Sequence, residues 1–103
     1  MNKTEDQRGF AVIEFADYYG AACTLHKSSL ATADCVWLGV NEAEPKVMAS
    51  QAKALGVETE ETVGWVDYPV PKEVLMTTRM HLSREHVAAL LPHLQRFAAT
   101  GEI

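Results

Sequence analysis

No apolar run in this chain approaches the roughly 18 residues needed to cross a bilayer. Its first residues, Met1-Asn2-Lys3-Thr4-Glu5-Asp6, lack the apolar segment of a secretory signal. Both absences predict a cytoplasmic protein with no membrane partner. Cysteine is nearly missing. Cys23 and Cys35 stand in apolar stretches, outside any Cys-x-x-Cys or Cys/His spacing, and read as buried and reduced. The histidines are scattered, with only His86 and His93 on one helical face. A structural zinc site requires four clustered ligands, so no metal and no cofactor are assigned. A glycine-rich phosphate loop is absent as well, since Gly39 and Gly56 are isolated and no Gly-Lys-Ser/Thr occurs. Ser28-Ser29 has no His-Asp framework beside it, and Glu14 and Asp17 read as surface and turn carboxylates. No catalytic residue follows, and the chain reads as a binding protein, not an enzyme. Positive charge is in deficit: a formal net charge of −5 argues against general nucleic-acid binding, which needs a basic face. A small anionic ligand remains compatible, because a local basic patch can sit on an acidic protein.

What remains is an ordinary globular composition. Hydrophobic residues fill 48% of the 103 positions and charged residues 22%, which suits one modest core but not two. The pattern predicts an α+β fold in a single domain over residues 1–103. Its parts are an antiparallel β-sheet meander of about five strands, a C-terminal amphipathic helix packed on it, and a short acidic helical insertion within 41–61. Residues 1–8 are polar and expected to be loose. Phe10 to Ala16 is rich in β-branched and aromatic residues and reads as a strand. Asp17-Tyr18-Tyr19-Gly20 supplies turn chemistry, Ala22 to His26 the returning strand, and Cys35 to Val40 a third, with Trp37 as core. In the insertion, Pro45 suits a first helical position and Gly56 a stop, while its glutamates read as a solvated face. Thr62 to Tyr68 and Val74 to His81 complete the strands. Alternation along the last puts Val74, Met76, Thr78 and Met80 on one face, and Leu75, Thr77, Arg79 and His81 on the other. Val87, Leu90, Leu91, Leu94, Phe97 and Ala98 then follow helical spacing from about Ser83 to Thr100, with Gly101 as the stop and Pro92 inside as a kink.

The junction of that strand and helix carries the clearest hint of chemistry. Ser83 is a good N-cap, and a helix N-terminus attracts anions through its free N–H groups and its dipole. Arg79 and Arg84 lie beside it with His81 and His86, although cations there oppose the dipole. That conflict points to a bound anion, a phosphate for instance. The plainer alternative pairs Arg79 with a carboxylate and leaves Arg84 solvated. Tyr18, Tyr19 and Tyr68 flank turns and suit stacking on a base or a partner surface. A free sheet edge and a small core predict a homo-oligomer.

The stretches Phe15-Ala16-Asp17-Tyr18-Tyr19-Gly20, Ser28-Ser29-Leu30-Ala31, Trp37-Leu38-Gly39, Arg79-Met80-His81-Leu82, Leu90-Leu91-Pro92-His93-Leu94-Gln95-Arg96-Phe97 and Thr100-Gly101-Glu102 together resemble a family of small phage and prophage proteins. Within it the chain most resembles the phage-encoded Thoeris anti-defence sponges, over most of its length outside residues 41–61. The resemblance implies an N-terminal antiparallel sheet followed by C-terminal helices, oligomerisation, and sequestration of cyclic ADP-ribose-type signals or cyclic oligonucleotides without cleavage. Carried over residue by residue, it implies that Arg79-Met80 is the ligand-gripping step and that Arg84 holds a phosphate, with Tyr19 and Trp65 as candidate aromatic contacts. The candidate ligand-binding set is therefore Arg79, Met80, His81, Ser83, Arg84, Tyr19 and Trp65. Two other functions stay open. One is a protein-directed inhibitor of a bacterial defence complex, such as an anti-CRISPR presenting Glu42, Glu44, Glu58, Glu60 and Glu61. The other is a phage accessory protein with no ligand.

Overall fold

The computed structural model describes residues 1–103, and the fold is α+β. In chain order the elements are β1 (Asn2–Glu5), β2 (Ala11–Ala16), β3 (Ala22–Lys27), β4 (Cys35–Val40), β5 (Lys46–Met48), α1 (Ala49–Ala52), a 3-10 turn (Lys53–Leu55), β6 (Trp65–Asp67), β7 (Arg79–Ser83) and α2 (Arg84–Thr100). They fall into two compact units, Met1–Asn41 with Thr78–Ile103, and Glu42–Thr77.

The first unit holds a five-stranded antiparallel sheet in the order β1-β2-β3-β4-β7. Two hairpins of the same design build its first half. In each, an aspartate ends the strand and its Oδ1 accepts two backbone N–H groups. Asp6 takes those of Arg8 and Phe10, and Asp17 those of Tyr19 and Ala21, each at 2.9 Å. A glycine at positive φ, Gly9 at 83° and Gly20 at 86°, closes each turn, a conformation glycine adopts without steric cost. The first hairpin corrects the expectation of a loose N-terminus. Asn2–Glu5 pairs with Ala11–Glu14, and its charged, polar composition suits an edge strand that must not recruit another chain.

The expected strand at Val74 to His81 is shorter than the alternation suggested, and begins only at Arg79. Its partner β4 ends at Val40, opposite the Thr78 side chain, which donates to the Val40 carbonyl at 2.7 Å. Residues before Thr78 therefore have no ladder to join. Thr62 to Tyr68 likewise contributes only β6, and β6 pairs with β5 in a separate two-stranded sheet of the second unit. Lys46-Val47-Met48 is consequently extended, and the short helix starts at Ala49, not at Pro45. Gly56, at φ 79°, stops the 3-10 turn as expected. Across β5 and β6, Lys46 pairs with Asp67, and this hydrogen bond raises the Lys46 pKa above its ordinary value.

α2 starts and stops where the sequence places it. Ser83 Oγ accepts from His86 N at 3.2 Å, and Ser83 N donates to His86 Nδ1 at 3.0 Å, so a capping box closes the first turn. Gly101, at φ 77°, closes the last turn by donating to the Phe97 carbonyl at 2.8 Å. The helix runs through Pro92 for 17 residues. Its first two turns meet the sheet, where Val87, Ala88 and Leu91 line an apolar cleft with Val36 and Leu82. Beyond that, its apolar stripe is not covered by its own sheet, and no residue of α2 is buried.

Candidate functional site

Strand register sorts the sheet's side chains into two unlike faces. One carries the cross-strand row Lys3, Ile13, Leu25, Leu38 and Met80, with Phe15, Cys23, Val40, Val36 and Leu82 around it. The other carries two polar rows. Thr4, Val12, His26, Trp37 and His81 form the first, and Asn2, Glu14, Thr24, Gly39 and Arg79 the second. The alternation expected for Arg79 and His81 therefore holds, and both lie on the polar face. Met80 points the other way and joins the apolar row.

Trp37 is the hub of the polar face. The His81 ring stacks on it, with centroids 4.0 Å apart and planes 19° from parallel. The Arg79 guanidinium lies 5.7 Å from the centroid of the same indole, a cation–π arrangement. Arg79 reaches across its neighbour strand because Gly39, the residue between, has no side chain. Its Nη1 donates to Thr24 Oγ1 at 3.4 Å, and Thr24 Oγ1 in turn donates to Asn41 Oδ1 at 3.1 Å. His81 Nε2 and Ser28 Oγ are hydrogen-bonded at 2.9 Å. Thr24 and Ser28 are buried, whereas His81 is exposed and Arg79 and Trp37 are half-buried. The tips of the Arg79 and His81 side chains are thus each held by a buried hydroxyl.

The guanidinium has no carboxylate partner. The ion pairs of the molecule are Lys27 with Asp34 at 3.3 Å and Lys46 with Asp67, and His26 is hydrogen-bonded to Asp6 at 2.7 Å. This removes the plainer alternative for Arg79, in which a carboxylate neutralises it. At the far side of the polar face, the hydrogen bond from His26 holds the Asp6 carboxyl below its ordinary value, assisted by the N–H of Phe10.

Arg79 and Arg84 do not share a pocket. The strand between them is extended at about 3.3 Å per residue, which sets them on the order of 13 Å apart or more. Arg84 instead lines the cleft at the start of α2 with Lys27, Asp34 and Ser83. Ser83 is not free to receive an anion either, because its hydroxyl and its N–H both serve the capping box with His86. Glu85 offsets the local positive charge. Its carboxyl is held below the ordinary value chiefly by a backbone N–H at the helix start and then by the Ser83 hydroxyl. The strand-to-helix junction is thus closed by its own cap with Glu85 in its first turn, whereas Arg79, one strand length away, is half-buried and belongs to no ion pair.

The aromatic candidates are also apart from Arg79. Tyr19 sits at the exposed tip of the β2–β3 hairpin, edge-on to Tyr18 at 5.4 Å. Trp65 is exposed on β6 in the second unit. The aromatic that does meet Arg79 is Trp37, which its apolar neighbours Val36 and Leu38 made look like core. The available signal was alternation: in β4, Trp37 lies on the face opposite Val36 and Leu38. No protein family, curated protein or solved structure matches the chain.

Proposed function

We propose that the protein binds and sequesters an anionic nucleotide on the polar face of β3, β4 and β7, and does so without chemical turnover. The observation that carries this reading is Arg79: a half-buried guanidinium with no carboxylate partner, anchored by Thr24 and lying beside an indole. Burying a charge without a counter-charge is costly, so an anion that completes the pair gains both a charge-assisted hydrogen bond and relief of that cost. The exposed outer side of the His81–Trp37 stack offers a ring surface of the kind on which bases stack. The resemblance to the phage-encoded Thoeris anti-defence sponges supplies the ligand class, cyclic ADP-ribose isomers or cyclic oligonucleotides, and with it a role in disarming a bacterial defence signal.

Isothermal titration against cyclic ADP-ribose isomers and cyclic di- and trinucleotides tests the reading. Binding in the sub-micromolar range is expected for at least one, with the ligand recovered intact by chromatography. Arg79→Ala should weaken that binding by roughly 10- to 150-fold, the worth of one hydrogen bond to a charged group. Its own fold should change little, because a long hydrogen bond and a partly exposed cation–π contact are together worth about 1 kcal/mol. Failure of every ligand to bind sinks the reading, and unchanged affinity in Arg79→Ala removes the site.

A further inference from the structure

We propose that the cleft between the first turns of α2 and the sheet is a second binding site, for a medium-length acyl chain ending in a carboxylate. It lies on the sheet face opposite Arg79. Lys27, Val36 and Leu82 form one cross-strand row beneath it, and Val87, Ala88 and Leu91 of α2 line its other side. Its volume is about 460 Å³, within the range of small-molecule pockets.

The lining sets the body of the ligand. Val36 and Leu82 are half-buried, while Val87 and Leu91 are exposed. Water therefore rests on apolar surface that an acyl chain releases as it enters. A nucleotide does not suit this cleft, because its sugar and phosphates would lose water against Val36 and Leu82 and find no partners there.

The charges set the head group. Three charged side chains line the cleft: Lys27, Asp34 and Arg84. Lys27 pairs with Asp34 at 3.3 Å, and Arg84 belongs to no ion pair. The cleft thus carries an excess positive charge, although the chain as a whole has a net charge of −5. Glu85 is not part of the lining. Its carboxylate is held at the helix start by a backbone N–H and the Ser83 hydroxyl. The α2 dipole favours negative charge at the same end. A carboxylate gains from both the guanidinium and the dipole, whereas an alcohol gains from neither and an ammonium is repelled.

Isothermal titration of the full chain with octanoate, octanol and octylammonium, all kept below micelle formation, tests the proposal. Octanoate should bind roughly five- to tenfold tighter than octanol, the combined worth of an exposed ion pair and a helix dipole, with octylammonium weakest. Arg84→Glu should lose the preference for octanoate yet still bind octanol. Arg96→Glu makes the same charge change near the other end of α2 and should keep the preference. Cys35 supplies an independent readout, because it lines the cleft half-exposed while Cys23 is buried. Saturating octanoate should slow alkylation of Cys35 by N-ethylmaleimide. Octanoate that fails to bind, or binds no tighter than octanol, overturns the proposal. Unchanged Cys35 alkylation overturns it too, as does an Arg84→Glu variant that keeps the wild-type preference. Binding to phosphatidylglycerol vesicles with none to free octanoate would replace the acid with a membrane surface.

Discussion

Gly39→Ala puts the geometry of the candidate site to a quantitative test. Gly39 has φ 152°, and a Cβ built on it lies 2.8 Å from the Thr78 carbonyl oxygen and 3.0 Å from Arg79 Cα. Both neighbours are backbone atoms at the entry to β7, so neither can swing away as a side-chain tip would. The unfavourable backbone conformation costs of order 1–3 kcal/mol, and overpacking between strands costs typically 1–3 kcal/mol more. Against these stands about 0.4–1 kcal/mol gained from the stiffer unfolded chain. The net loss is roughly 3 kcal/mol, which lowers the Tm of a unit this size by about 10–20 °C. Differential scanning calorimetry or circular dichroism melting reads this directly. The same shift of β7 moves Arg79 off Thr24 and Trp37, so nucleotide affinity should fall with stability. A Tm within about 4 °C of wild type, equivalent to under 1 kcal/mol, would refute the close approach of β4 and β7 from which the site is built.

Two further outcomes follow from the ends of the sheet and helix. Ser83→Ala removes the acceptor for His86 N and breaks the capping box, so stability should drop by about 1 kcal/mol, seen as a loss of helical circular dichroism at lower temperature; an unchanged melt would count against the cap. Asp6→Asn tests the first hairpin through pH. The Asp6 pKa is lowered on folding from its ordinary 3.8, chiefly by the hydrogen bond from His26. The ionised carboxylate therefore stabilises the fold above the unfolded value, and that contribution is lost as pH falls through the lower folded value. The gap in Tm between wild type and Asp6→Asn should be open above pH 3.8 and narrow on further acidification. A gap that widens in acid would reverse the sign of the linkage.

The two aspartate hairpins show what was readable and what was overlooked. Asp17-Tyr18-Tyr19-Gly20 was legible as a turn because it separates two clearly β-rich segments. Asp6-Gln7-Arg8-Gly9 has the same aspartate and glycine at the same spacing. The strand before it is polar, which is a property of edge strands and not of disorder. The helix N-cap and its glycine stop were legible for a similar reason, as each depends on residues within one turn of each other. At the site, strand alternation was enough to put Arg79 and His81 on one face. It was not enough to find Trp37, whose neighbours in sequence point to the opposite side of the sheet. Arg79 and Arg84 looked like a pair because they are close in sequence, but an extended strand carries them apart.

By itself the sequence determined the local grammar of this protein: the strands at Ala11–Ala16, Ala22–Lys27 and Cys35–Val40, the aspartate-glycine turns, and a capped amphipathic helix at Arg84–Thr100. These depend on periodicity, turn chemistry and capping, which act over a few residues. Tertiary structure alone decided that β7 pairs with β4, and so that Arg79 lies beside Trp37 and Thr24. It also decided that β6 leaves the main sheet for β5, and that the helix stripe stays uncovered within one chain. The reason is physical. Pairing partner and register are settled by side chains far apart in sequence, and each choice redistributes every residue of a strand between its two faces.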